Sequence, residues 1–199
     1  MSLAEISALL YLLVYYGLIL GLRSWMLYRQ TGIASWRSGL KERWERALIY
    51  LESIYVLLLP FIVLNFVFLP ENYQHLGPFT ALVIPEVLYT GICLATIGLL
   101  FAFIAQLQMG DSWRFGLHQD NQTTLVTSGL FRLSRNPVYL GILIANIGFF
   151  GIVPCIASTT MVILLIIVLY LKIRSEESFL EGQHGEDYAS YRTVVRRWL

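Results

Sequence analysis

The chain has 199 residues, of which 57% are hydrophobic and only 14% charged, with a mean hydropathy of +0.64. A soluble domain of this length carries about a quarter charged residues, so a soluble fold is excluded and an integral membrane protein is expected. The formal net charge of +1 specifies no partner, and the two cysteines, Cys93 and Cys155, lack metal-ligand spacing, which sets aside a disulfide framework or a zinc site.

Leu3 to Leu22 is almost wholly apolar and long enough to cross a ~30 Å hydrocarbon core. It has no basic stretch before it and no small-residue cleavage pattern, so a retained first span is expected rather than a signal peptide. Arg23 to Arg46 interleaves Arg23, Arg29, Arg37, Lys41, Arg43 and Arg46 with Trp25, Trp36 and Trp44. Beside a span, that composition points to an interfacial segment on anionic head groups rather than to nucleic acid. A second span is expected over Ala47 to Leu69, kinked at Pro60, with Glu52 in its first turns as an interfacial carboxylate. Pro70 to Phe79 is a loop punctuated by Gly77-Pro78, and the third span covers Thr80 to Ala105 with Pro85 and Glu86 near its outer end.

Gln106 to Ser128 is polar, with a turn at Gly110-Asp111-Ser112-Trp113 and a loop at Asp120-Asn121-Gln122. Pro137 to Val153 makes a short fourth span ended by Pro154. Ile156 to Leu171 makes the fifth, so that spans four and five form a helical hairpin. The same helix is expected to run on through Lys172 to Glu181, with Gly182 and Gly185 loosening it before an interfacial, basic tail from Tyr188 to Leu199. The fold expected is therefore an all-α integral membrane protein with five transmembrane helices, a C-terminal hairpin and a cytoplasmic cofactor pocket. It is one domain over 1–199, made of N-terminal spans in 1–105 and a catalytic half in 106–199. All 14 Lys and Arg fall after spans one, three and five. The positive-inside rule then places the N-terminus outside and the C-terminus in the cytoplasm of an inner or plasma membrane.

The densest polar information lies in 125–141. Pro137 suits the first helical turn, where its missing N–H would be unpaired anyway, and Asn136 stands where an N-cap belongs. A helix start carrying free N–H groups beside Arg135 favours anions. The plainer alternative is an arginine-anchored, well-capped membrane helix. The chemically capable groups are Arg135, Asn136, Tyr139, Lys172, Glu176, Glu177, His118 and His184. The last two suit polar surface positions, and Asn146 suits an interhelical hydrogen bond. GxSxG, HExxH and Gly-rich dinucleotide patterns are missing from the sequence, which disfavours triad and metal-assisted hydrolysis.

Gly129-Leu130-Phe131-Arg132-Leu133-Ser134-Arg135-Asn136-Pro137-Val138-Tyr139-Leu140-Gly141 resembles the signature of the isoprenylcysteine carboxyl methyltransferase-like membrane enzymes, a group that includes the phospholipid N-methyltransferases. The resemblance continues in Leu125-Val126-Thr127-Ser128-Gly129, in Glu176-Glu177, and in Gly185-Glu186-Asp187-Tyr188-Ala189-Ser190-Tyr191, where His184 replaces a Phe. It covers Gly110 to Leu199. Two departures stand out: Asn136 replaces the His of the eukaryotic enzymes, and Lys172 replaces a substrate-side arginine, with Arg174 close by. Lysine and arginine are not equivalent at a bidentate site.

The resemblance implies S-adenosylmethionine as cofactor, held by Thr123, Leu125, Val126, Phe131, Arg135, Asn136, Pro137, Val138, Tyr139 and Glu176. It also implies catalytic roles for Arg135, Lys172, Glu176 and Glu177. The cofactor's carboxylate suits Arg135 and the helix start, and its ammonium suits a glutamate. Methyl transfer needs chiefly in-line positioning and exclusion of water. Glu176 and Glu177 lie ~100° apart around a helix, so both cannot make one contact. The acceptor implied is lipophilic or prenylated, of the isoprenylcysteine carboxyl type, meeting the enzyme among membrane lipids, with no nucleic-acid partner and no metal. Two alternatives remain: a nicotinamide-dependent membrane reductase of related fold, which is disfavoured at 199 residues, and a non-catalytic membrane scaffold.

Overall fold

The computed structural model describes residues 1–31, 43–110 and 124–199. Among these the architecture is helical throughout, with one isolated β-bridge between Pro78 and Cys155. Helix α1 spans Leu3–Val14 and opens with a reciprocal cap, in which the Ser2 hydroxyl accepts from the Glu5 N–H and the Glu5 carboxylate accepts from the Ser2 N–H. The first apolar stretch does not remain α-helical. Tyr15–Leu22, with Gly17 and Gly21 inside it, widens into π-helix before α2 resumes over Arg23–Thr31.

Helix α3 covers Arg43–Phe68 with Pro60 in its interior. Proline has no N–H to offer the carbonyl four residues back, here that of Val56. The Tyr16 hydroxyl, from the π-helical segment, donates to that same carbonyl. An unpaired carbonyl inside a bilayer costs several kcal/mol, so this contact answers the proline with a side chain from a neighbouring helix. The segment expected as a loop after α3 is more ordered than its composition suggests. It holds α4 (Pro70–Tyr73) and two 3-10 turns, Gln74–Leu76 and Thr80–Leu82. The Phe79 N–H donates to the Pro154 carbonyl at 2.9 Å and the Ile156 N–H to the Gly77 carbonyl at 3.0 Å, which pins this connection to the start of α7.

Helix α5 runs Pro85–Gln108 and places Pro85 in its first turn, so the third span begins five residues later than expected. Helix α6 covers Pro137–Ile152, α7 covers Ile156–His184 and α8 covers Glu186–Val194. Among the described residues, four helical stretches are long and apolar enough to cross a membrane: Leu3–Met26, Ala47–Phe68, Pro85–Gln108 and Ile156–His184. At 16 residues α6 rises about 24 Å, short of a ~30 Å hydrocarbon core.

The closest packing in the molecule is between α5 and α6. A Cβ added to Gly98 would sit 2.3 Å from the Ala145 nitrogen, one on Gly141 2.5 Å from that of Ala102, and one on Gly148 2.2 Å from that of Ala95. The two backbones therefore touch along a stripe of glycine and alanine. This is how helices associate where lipid removes the hydrophobic drive. It fixes α6, and with it the Arg135 corner, against α5. A second tie is buried and polar: Tyr15 and Tyr55 share a hydrogen bond at 3.0 Å, and Tyr55 donates to Asn146 Oδ1 at 2.9 Å, joining the π-helical segment, α3 and α6.

Candidate active site

The site begins where the chain turns into α6. Gln108 Oε1, at the end of α5, accepts from the Leu130 N–H at 2.8 Å and holds the 3-10 turn Gly129–Arg132. Gly129 adopts φ +63° there, a left-handed backbone that calls for glycine. Leu125 and Val126 lie half-buried on the segment leading in, while Phe131 is buried. Thr123 and His118 lie outside the described residues.

Pro137 occupies the first turn of α6, and the Asn136 carbonyl accepts the first intrahelical bond from Leu140 at 3.0 Å. The Asn136 side chain, however, does not cap the helix, contrary to expectation. Its Nδ2 instead donates to the Arg197 carbonyl at 3.2 Å, because the C-terminal segment folds back over this corner. The buried Ser134 hydroxyl donates to the same carbonyl at 3.2 Å, and the Arg135 N–H donates to the Arg196 carbonyl at 2.9 Å. The reversal that brings the tail back occurs at Gly185, φ +51°, which ends α7 and starts α8. Helix α8 is fastened by Tyr191, whose hydroxyl donates to the Phe131 carbonyl at 2.6 Å. Burial pushes the Tyr191 hydroxyl up to about 12, so it stays a protonated donor.

Helix α7 presents both glutamates to the start of α6, by different routes. Glu177, buried, takes Arg135 Nη2 on Oε1 at 2.9 Å, and Arg197 through Nε at 3.1 Å and Nη2 at 2.5 Å. The hydrogen bonds to Glu177 push the Arg197 pKa further up. Arg135 also donates through Nη1 to the Arg192 carbonyl at 3.3 Å, while its Nε is buried with no partner among the described residues. Glu176, one position earlier, accepts from the Tyr139 hydroxyl through Oε1. Lys172, one turn before Glu176, donates to Glu52 Oε1 on α3 at 2.7 Å, and Glu176 lies within electrostatic reach of both.

Arg135, Asn136, Pro137, Val138, Tyr139, Lys172, Glu176 and Glu177 thus converge where α3, α6 and α7 meet. Sequence reasoning assigned nothing to Arg197 and Ser134, and gave Glu52 an ordinary interfacial role. His184 is half-buried, with Nε2 lacking a partner among the described residues. In charge terms the corner has two halves. Arg135 and Arg197 share one carboxylate, Glu177, and carry one net positive charge. Lys172 stands between Glu52 and Glu176 and, with both ionised, these three described groups carry one net negative charge.

Residues 86–187 match the family described as phospholipid methyltransferase. The chain belongs to that family. The match takes in α5 through the first residues of α8 and leaves Glu52 and Arg197 outside it. Two rice proteins, each described as a probable protein-S-isoprenylcysteine O-methyltransferase, are similar to the chain. One is from Oryza sativa subsp. indica and one from subsp. japonica. Each is 30% identical over 129 residues, covering 60% of this chain and 67% of its own length. These matches and the apolar helices make this phospholipid methyltransferase-family protein a transmembrane methyltransferase of the isoprenylcysteine carboxyl methyltransferase-like kind.

Proposed function

We propose that the protein transfers a methyl group from S-adenosylmethionine to a lipophilic or prenylated acceptor at the membrane. The observation that carries this reading is the division of the corner into a positive half around Arg135 and a negative half around Glu176. The amino-acid end of S-adenosylmethionine is a zwitterion and needs both. Arg135 has a buried Nε donor to spare, the kind of atom a carboxylate would satisfy. Glu176 is bound by a neutral hydroxyl and offers its negative charge to an ammonium. The group, when bound, supplies an electrophilic methyl on a sulfonium.

The chain's own residues hold, orient and exclude water. Arg135, Asn136 and the first turn of α6 receive the carboxylate end, Tyr139 fixes the Glu176 carboxylate, and Phe131, Pro137 and Val138 wall the corner with apolar surface. Thr123, Leu125 and Val126 complete the cofactor side, and Lys172 stands on the acceptor side. Such a site works by position rather than by acid–base chemistry. The apolar outward faces of α3 and α7, with Leu57, Leu64 and Ile163 exposed, suit an acceptor arriving from the bilayer. The isoprenylcysteine in the names of the rice relatives is one such acceptor. In the same reading α6 is a fifth, short span paired with α7 in a hairpin. The chain is one membrane domain with its site on the cytoplasmic side, where S-adenosylmethionine resides, and the basic residues set that orientation.

Equilibrium binding of labelled S-adenosylmethionine and of NADPH to the detergent-purified protein tests this. S-adenosylmethionine should bind and NADPH should not. Arg135→Ala should weaken binding ~10- to 100-fold, the loss of a charge-assisted hydrogen bond of roughly 1.5–3 kcal/mol. NADPH binding alone would favour the reductase, binding of neither a scaffold. Unchanged affinity in a folded Arg135→Ala protein would make Arg135 a membrane anchor.

A further inference from the structure

Arg197 lies outside 86–187, so the family match does not include it, yet it is the residue that takes most of Glu177. The backbone of the tail is fastened to the corner on the way there. The Arg196 carbonyl accepts the Arg135 N–H, and the Arg197 carbonyl accepts from both the Ser134 hydroxyl and the Asn136 amide. Trp198 then packs against the helical core. The Arg197 side chain is thereby turned onto Glu177, which it grips along one guanidinium edge, Nε on Oε1 at 3.1 Å and Nη2 on Oε2 at 2.5 Å. This fork is the arrangement in which a guanidinium holds a carboxylate best.

The fork decides what is left for Arg135. Its Nη2 reaches Oε1 at 2.9 Å, while Oε2 belongs to Arg197. Its Nε, on the same edge of the guanidinium as Nη2, is buried with no partner among the described residues. Without Arg197, that edge of Arg135 would close on both oxygens of Glu177 as a fork of its own and leave no N–H on it for a ligand. We propose that Arg197 is a positioning residue for the cofactor: by taking Glu177 in a fork, it keeps Arg135 Nε available to the carboxylate of S-adenosylmethionine. This rests on the proposed transfer reaction, in which Arg135 receives that carboxylate. Arg197 is the more exposed of the two arginines, so its loss should show in affinity rather than in folding.

The test uses the full chain in detergent and two cofactor forms that differ in one group. These are S-adenosylmethionine and its decarboxylated analogue, which keeps the sulfonium, the ammonium and the adenosine. The wild type should bind S-adenosylmethionine ~10- to 100-fold more tightly than the analogue, the worth of a charge-assisted contact to the carboxylate. Arg197→Ala should shrink that ratio about tenfold by weakening S-adenosylmethionine while leaving the analogue's affinity as it was. Arg197→Lys keeps the charge without the fork, and its ratio should fall between the two. Equal loss of both forms in Arg197→Ala would make Arg197 a clasp for the tail and overturn the proposal, as would an unchanged ratio. If Arg197→Ala does not survive purification, a wild-type ratio in Arg197→Lys overturns it alone. A wild type that binds both forms equally would place the carboxylate away from Arg135, which overturns the proposal and leaves the cofactor assignment standing. A wild type that binds neither would refute the transfer reaction and the proposal with it.

Discussion

Glu177 should be a structural residue first, and the structure allows the size of its contribution to be worked out. Glu177→Gln keeps the shape of the side chain and one carbonyl oxygen but removes the charge that two guanidiniums share. Arg135 is 9% exposed and Glu177 11%, so that half of the arrangement is screened little by water. Arg197 is 40% exposed and can be rehydrated, which limits its share to about 0.5 kcal/mol. Breaking a buried pair from one side costs roughly 3–5 kcal/mol, because the surviving charge is left uncompensated. Since glutamine still accepts one hydrogen bond, about 3 kcal/mol is expected for the single variant. Replacing both buried partners, as in Arg135→Met/Glu177→Leu, removes the stranded charge and should recover most of that loss. Unfolding by SDS titration in mixed micelles, followed by circular dichroism, measures both. A single variant within about 1 kcal/mol of wild type, or a double variant as damaged as the single, would refute the reasoning.

Three further outcomes follow from the same geometry. Glu176→Gln should lower methyl transfer to an accepted lipid at least ~100-fold while leaving the unfolding curve near that of wild type, and Tyr139→Phe should lower it ~10-fold by releasing the Glu176 carboxylate; full activity in both would remove Glu176 from the site. Gly98→Val should drive α5 from α6 and cost roughly 1–3 kcal/mol or more, because a Cβ there already falls 2.3 Å from the Ala145 backbone; an unfolding curve unchanged from wild type would show that the two helices do not touch there. With Cys93 and Cys155 replaced by Ser, cysteines at Gln74 and Gln122 should react oppositely with an impermeant thiol reagent in intact cells, and labelling of both from outside would reverse the proposed orientation.

The local devices of this fold were legible, and its long-range closures were not. The start of α6 at Pro137 follows from one residue's missing N–H, and the run of α7 on past Leu171 through Glu176 was expected, though the Tyr139 contact it makes was not. Asn136 shows the limit of such local reading. It stands at the cap position as its residue type suggests, yet its amide turns to a carbonyl 61 residues away. Nothing in the spacing of the tail reveals that Arg197 returns to Glu177, since the return depends on the φ +51° reversal at Gly185 and on the length of α8 after it. The α5–α6 contact had a readable signal that was passed over: Gly91, Ala95, Gly98 and Ala102 repeat at steps of four and three, and so do Gly141, Ala145 and Gly148. The apparent partnership was between α6 and α7, neighbours in sequence, whereas the closest packing is with α5. The Tyr16 contact that answers Pro60 carried no sequence signal, because it joins two helices through one hydroxyl.

The two adjacent glutamates divide the work of the corner by what already occupies their oxygens. Both oxygens of Glu177 are taken by guanidinium donors, three hydrogen bonds in all, so a ligand's ammonium could reach it only by evicting an arginine. Glu176 is bound through one oxygen to a neutral hydroxyl, and among the described residues the cation that offsets its charge is Lys172, which also pairs with Glu52. An ammonium placed at Glu176 restores balance to that half, just as a carboxylate placed at Arg135 restores balance to the other. Burying charge at the mouth of a membrane helix bundle is costly unless partners are supplied. A zwitterion laid across both halves would satisfy the arrangement, with Glu177 holding Arg135 and Arg197 together in the positive one.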